Sequence, residues 1–124
     1  MKVGLSTRVI LMIFRLCQRT EFDGIEIGIF PRKKPDADLI HKKVVDALVL
    51  IRHVDPRRYR YLQRDVKRIM VFGTPSYQGK WHNLCALCEL TDTYVQNSET
   101  TPELVASTIV HEAMHARLYR MGIG

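Results

Sequence analysis

The segment DGIEIGIFP, residues 23–31, decides the fold class. Its isoleucines alternate with Glu26 and Gly28, and this period of two is typical of a β-strand with one buried face. The flanking segments, Thr7 to Arg19 and Asp36 to His53, instead carry apolar residues three and four positions apart, as helices do when one side faces a core. A strand between two such helices predicts an α+β fold.

Further elements follow along the chain. Asp55 and Pro56 predict the N-cap and the first residue of a short third helix. The apolar run RIMVFG, residues 68–73, predicts a buried strand, and LCALCELTDTYV, residues 84–95, predicts a strand with one buried face. We therefore expect a small mixed or antiparallel three-stranded sheet with the helices packed on one side.

Length and composition predict a single domain that spans residues 1–124. Apolar residues make up 46% and charged residues 26% of the chain, a balance that excludes a disordered or collagen-like protein. The most apolar run, from Val9 to Phe14, is far shorter than the roughly 20 residues that cross a bilayer, and it does not resemble an export signal. Three cysteines do not suit a secreted disulfide framework, so we expect a cytoplasmic protein with no membrane partner.

The net charge of +6 is concentrated in RHVDPRRYRYLQRDVKR, residues 52–68. Such a stretch is most often a solvated helix face. Two other interpretations stay open: a surface that binds an acidic segment, and a phosphate-binding patch on which Tyr59 and Tyr61 stack with bases. Because solvated faces of this composition are the more common, we do not expect nucleic acid as a partner.

The last predicted helix has the clearest ends. Thr100 or Thr101 supplies its N-cap, Pro102 and Glu103 occupy its first turn, and Gly122 is placed to end it. A helix between these residues carries the only histidine pair in the sequence that is one helical turn apart.

The motif HEAMH, residues 111–115, lies on this helix. His111 and His115 are about 40° apart around the helix axis, so both imidazoles can converge on one zinc ion with nitrogen ligands near 2 Å. Glu112 lies roughly a quarter turn from His111, within reach of a water beside the ion, where it can act as a general base. We expect both histidines on a mostly apolar, buried face that also includes Leu104, Thr108 and Leu118.

HEAMH on a helix that follows a strand resembles the active-site helix of the zincin clan of zinc metallopeptidases. The resemblance implies Zn²⁺ as cofactor, His111 and His115 as metal ligands, and Glu112 as the catalytic base and proton shuttle in the hydrolysis of a peptide or protein substrate. It also implies that the substrate lies extended along the strand before the helix, here within Leu84 to Val95. The motif is specific at five residues, and the resemblance covers the last third of the chain.

The sequence departs from the two main zincin patterns. Metzincins have Gly and His where this chain has Leu118 and Met121, so the resemblance is to the gluzincins. Gluzincins take a third ligand, a Glu, from a helix well downstream. We therefore expect residues 1–124 to be the N-terminal part of a longer catalytic domain, with weak zinc affinity and no activity without the missing ligand. Three upstream histidines are weaker candidates for this ligand: His41, His53 and His82.

A second metal hypothesis uses two cysteines. Cys85 and Cys88, with the two helix histidines, give the spacing C-x2-C-x22-H-x3-H of a structural Cys2His2 zinc site. Such a closed site would make the protein a binding module, whose basic stretch could bind nucleic acid or another partner. The strand predicted for residues 84–95 argues against it, because that strand sends Cys85 and Cys88 to opposite faces.

Overall fold

The computed structural model describes residues 7–30, 33–73 and 78–122. These residues form five α-helices and five β-strands, which confirms the α+β class. None of the described helices has the length and apolar character needed to cross a membrane. In chain order the elements are α1 (Thr7–Leu16), β1 (Gln18–Phe22), β2 (Ile25–Ile29), α2 (Lys34–Val54), α3 (Pro56–Asp65), β3 (Arg68–Phe72), β4 (Gly79–His82), a single 3₁₀ turn (Asn83–Cys85), β5 (Leu87–Thr91), α4 (Asp92–Gln96) and α5 (Pro102–Arg120).

The five strands form one mixed sheet in the order β1-β2-β3-β5-β4. β2, β3 and β5 are parallel, while β1 and β4 pair antiparallel at the two edges. Asp23 and Gly24, both with positive φ, form the two-residue turn of the β1–β2 hairpin. The mixed sheet was predicted, but the count of three strands was wrong. β1 is largely exposed and β4 is only four residues long, so neither carries the apolar alternation that marks a strand.

Helices cover both faces of the sheet, and the prediction that they pack on one side was wrong. α2, α3 and α5 enclose the larger core with inward-facing isoleucines of β2 and β3. α1 covers the other face, where Ile10 and Phe14 contact Met70 and Leu87. Gly28 makes this contact feasible, because a Cβ there would lie 2.7 Å from the Phe14 ring. The central strands are therefore buried on both sides, as in parallel sheets generally.

The segment from residue 84 to 95 differs most from its prediction as one strand with one buried face. It is divided into the end of the 3₁₀ turn, the five-residue strand β5 and the helix α4. Ala86 adopts a left-handed conformation at the start, and all five β5 residues are buried. Leu84 is 81% exposed, because it lies in the 3₁₀ turn that connects β4 to β5.

The ends of two helices agree well with the sequence. Asp55 caps α3 by accepting a hydrogen bond from the Arg58 backbone N–H at 3.0 Å. Thr101 caps α5 by accepting one from Leu104 N–H at 3.2 Å, and Gly122 follows the helix with φ of 78°. These local signals confirm the position of the helix that carries the HEAMH motif.

Candidate metal centre

α5 packs along β4. The face predicted to be buried, which carries His111 and His115, is not the face that makes this contact. The side chains that it buries are spaced three and four residues apart: Val105, Ala106, Ile109, Glu112 and Ala116. His111 and His115 are exposed, as are Leu104 and Leu118 beside them. Two stripes of helical spacing run side by side on α5, and the one with small alanines faces inward because it permits close packing on α2 and the sheet.

The three motif side chains lie close together. The ring centroids of His111 and His115 are 5.3 Å apart with the planes at 88°, so the imidazoles meet edge to face. Their ligand atoms and a carboxylate oxygen of Glu112 all lie within 4.8 Å of one another. Nitrogen ligands around a tetrahedral zinc ion at about 2 Å lie roughly 3.3 Å apart. Modest side-chain rotations would therefore bring this donor set onto one ion, and its chemistry suits zinc.

Glu112 is the buried member of the group, with 7% of its surface exposed. Its side chain lies over Gly79 of β4, where an added Cβ would be 3.3 Å from Glu112 Cγ and 3.4 Å from Oε2. Within residues 7–30, 33–73 and 78–122, its carboxylate takes part in no hydrogen bond or ion pair. Glu112 also lines the cleft beside β4, so its carboxylate oxygens are open to a cation or a water molecule there.

The exposed edge of the sheet beside this group belongs to β4. Thr91 N–H donates to Gln78 O at 3.0 Å, and hydrogen-bonded pairs alternate along an antiparallel ladder. Gly79 and Trp81 therefore direct their backbone N–H and C=O groups away from β5, toward the free edge. A cleft of about 570 Å³ lies between this edge and α5, lined by Gly79, Lys80, Trp81, Asn83, Glu112, His115, Leu118 and Tyr119.

The predicted substrate strand, Leu84 to Val95, was wrong. Its strand portion, β5, lies between β3 and β4 and pairs with both, so it has no free edge. The order of strands in the sheet decides this, and that order depends on pairing between distant segments. Gly79 was not identified from the sequence, although an isolated glycine near an aromatic residue is a known sign of close approach within a strand.

None of the proposed upstream histidines joins the group. His82 Nε2 lies 2.8 Å from Glu89 Oε1, and both side chains sit on the α1 face of the sheet, away from Glu112. His41 and His53 belong to α2. In the described part of the chain, the His, Cys, Asp and Glu residues close enough to hold one ion are His111, Glu112 and His115.

The two cysteines of the alternative zinc site are separated by the sheet. Cys85 belongs to the apolar cluster under α1, and Cys88 to the larger core on the other face. Burial, with Glu112 and Glu89 nearby, raises the pKa of the Cys88 thiol, and burial also raises that of Cys85. The structure does not bring the four predicted Cys2His2 ligands together.

The basic stretch forms the end of α2, α3 and the start of β3. Tyr59 is buried and donates its hydroxyl hydrogen to Asp23 Oδ2 at 2.9 Å, so it cannot stack on a base. Tyr61 lies on the surface, with the guanidinium groups of Arg64 and Arg117 at 5.1 and 4.9 Å from its ring centroid. The interpretation with both tyrosines stacked on bases was therefore wrong.

Comparison of the chain with protein-family models, with curated proteins and with solved structures found no match. The arguments about function that follow depend on the geometry of α5 and β4.

Proposed function

We propose that this protein is a zinc-dependent, metallopeptidase-like hydrolase, with His111 and His115 as metal ligands and Glu112 as the catalytic base. One observation carries the proposal: two exposed imidazoles and one buried carboxylate, with ligand atoms within 4.8 Å, lie beside a free sheet edge. Zinc bound there would polarise a carbonyl group and make water nucleophilic at neutral pH.

The edge of β4 supplies the means to hold a peptide. An extended peptide can add to the sheet as a further strand, with hydrogen bonds to the outward backbone groups of Gly79 and Trp81. This position puts a peptide bond of the substrate above Glu112, because Gly79 has no side chain to separate them. The zincin resemblance has the same arrangement, in which substrate lies along the sheet edge beside the motif helix.

Glu112 is suited to proton transfer by its place in the cleft. Its carboxylate can take a proton from the attacking water and return it to the departing amine. Burial against β4 restricts its rotamers, so it stays within reach of the same point at both steps. Tyr119 and Trp81 line the same cleft, next to Glu112 and His115.

The described residues do not supply a third metal ligand besides the two histidines and the proposed base. The residues outside the described ranges include no His, Cys, Asp or Glu, so they offer none of the usual zinc ligands. We propose that the third position is filled, as in the gluzincin pattern, by a Glu that lies outside residues 1–124. If Glu112 itself occupied it, the site would have no base, and replacement of Glu112 would release the metal.

Zinc content after dialysis tests the metal site. We expect near-stoichiometric or weakly held zinc in the wild type, and its loss in the His111→Ala, His115→Ala double variant. The matched control replaces His41 and His53, two histidines of α2, and should keep the metal. Zinc that is lost instead with Cys85→Ser, Cys88→Ser, in protein shown to be folded by circular dichroism, would overturn the proposal in favour of the Cys2His2 module. A wild type that never takes up zinc would also overturn it.

A further inference from the structure

A second surface of α5, which meets the metal-centre cleft at Leu118, forms a groove with α3. The groove has a volume of about 290 Å³ and an apolar floor, in which Leu62 of α3 is buried and Val110 and Ala113 are partly buried. Its open side consists of Met114, Leu118 and Met121, spaced four and three residues apart on α5. Met114 is 47% and Met121 59% exposed, although both are large and apolar. Exposed methionines of this kind adapt to varied apolar partners.

Arginines form the rim of this groove. Arg58, Arg117 and Tyr61 line it and also line an adjoining polar pocket of about 310 Å³, to which Arg57 and Asp55 contribute. The nearby Arg57 guanidinium lowers the pKa of the Tyr61 phenol, with smaller effects of Arg117 and Arg64. The rim is therefore a region of concentrated positive charge.

The carboxylates nearby do not cancel this charge. Asp65 accepts from both Arg64, at 2.9 Å, and Arg120, at 3.2 Å, and Asp55 lies 3.5 Å from Arg58. Against these two carboxylates, α3 and the end of α5 contain six arginines: Arg57, Arg58, Arg60, Arg64, Arg117 and Arg120. A surplus of positive charge beside an exposed apolar stripe fits a ligand that is both acidic and apolar.

The shape of the surface selects among such ligands. Two guanidinium groups already contact the Tyr61 ring, so they would compete with a stacked base for it. A membrane is a poor fit, since the apolar residues line a groove instead of projecting from a convex face. A groove between two helices suits a third helix.

We propose that the groove between α3 and α5 binds an acidic amphipathic helix of another polypeptide. Apolar side chains at helical spacing occupy the groove beside Met114, Leu118 and Met121, and carboxylates on the flanks of that helix pair with Arg58 and Arg117. Arginine suits this role because its planar guanidinium can hold a carboxylate through two hydrogen bonds. This surface does not require the metal site, so it stands or falls independently of the proposed hydrolase.

Binding of a labelled model peptide tests the proposal. The probe is a fluorescein-labelled helical peptide with leucines at positions i, i+3, i+4 and i+7 and glutamates elsewhere, and the control peptide has lysine at every glutamate position. We expect the acidic peptide alone to bind, as measured by fluorescence anisotropy. The variant Arg58→Glu, Arg117→Glu should weaken binding by about tenfold or more, because two attractions become repulsions. The matched variant Arg15→Glu, Arg19→Glu carries the same change of charge on exposed residues away from the groove and should bind as the wild type does.

Several outcomes would overturn the proposal. One is that the acidic peptide does not bind, and another is that the two double variants weaken its binding equally. A third is that the protein prefers a single-stranded oligonucleotide or anionic phospholipid vesicles to the peptide. Photo-crosslinking of the peptide to the unmodified protein keeps the test valid if a variant does not fold. Crosslinks at Met114 and Met121 support the groove, and crosslinks confined to other surfaces reject it.

Discussion

Two regions of the molecule, on opposite faces of the sheet, each place a buried carboxylate near an imidazole. Under α1, Glu89 is 2% exposed and its Oε1 lies 2.8 Å from His82 Nε2, so the pair satisfies itself. Over β4, Glu112 is also buried, but it has no hydrogen bond within the described ranges, its histidines are exposed, and a cleft opens beside it. The first region resembles a structural pair and the second a site that is incomplete without a ligand. The two carboxylates should therefore respond oppositely to mutation.

The largest expected difference is in hydrolysis. Glu112→Gln should lower the rate of peptide cleavage by about 10³-fold, because the amide cannot act as a general base, while zinc content stays unchanged. The assay uses an extended, internally quenched peptide and zinc-loaded protein that includes the proposed third ligand, because residues 1–124 without it are expected to be inactive. Glu89→Gln is the matched control and should keep the wild-type rate. Loss of zinc from the Glu112→Gln variant would show that Glu112 is a metal ligand. Equal cleavage rates in Glu112→Gln and Glu89→Gln would show that Glu112 is not the catalytic base.

The next largest effect is on stability, and it belongs to the other region. His82→Ala leaves the buried Glu89 carboxylate without its imidazole partner, which should lower the free energy of unfolding by about 2 kcal/mol. Urea unfolding measures this change. Zinc content should not change, because His82 lies on the opposite face from the motif. Zinc loss in a folded His82→Ala protein would contradict the separation of the two regions.

Close packing at Gly79 gives a smaller effect on stability. A Cβ there would lie 2.7 Å from the Thr108 methyl group, and Thr108 is fixed by hydrogen bonds with Tyr94 and Leu104. Gly79→Ala should therefore move β4 from α5 and lower the free energy of unfolding by about 1.5 kcal/mol. Adding Thr108→Ser removes the methyl group but keeps the hydroxyl, and it should restore most of the loss. A double variant as unstable as Gly79→Ala would show that the strain lies elsewhere.

The smallest effect has the opposite sign. In zinc-free protein, Glu112→Gln should raise the free energy of unfolding by about 0.5 kcal/mol, since it removes a charge from a largely buried side chain whose carboxylate is hydrated only from the cleft. Thermal unfolding in the presence of a chelator measures this change. A destabilised Glu112→Gln variant would mean that the carboxylate supports the fold, as Glu89 does. The functional interpretation of the comparison would then lose its main physical support.

Much of the local structure was predictable from neighbouring residues. The structure confirms the strands predicted from the alternation in β2 and from the apolar run of β3. It also confirms the predicted helix caps Asp55 and Thr101. Such signals act within a few residues, through side-chain period and hydrogen bonds to nearby backbone groups. The prediction of one strand over residues 84–95 was wrong, because a short run of mixed apolar and polar residues fits a strand, a turn and a helix about equally well.

The sequence by itself determined the α+β class, the ends of α5 and the clustering of His111, Glu112 and His115, since the helix period alone sets the distance between residues one turn apart. It did not determine which side of α5 is buried, because two stripes of helical spacing lie next to each other. Only the tertiary structure made β4 the free edge, paired His82 with Glu89 and turned Glu112 inward over Gly79. These features arise from contacts between segments far apart in the chain, where the choice among pairings depends on the packing of the whole core.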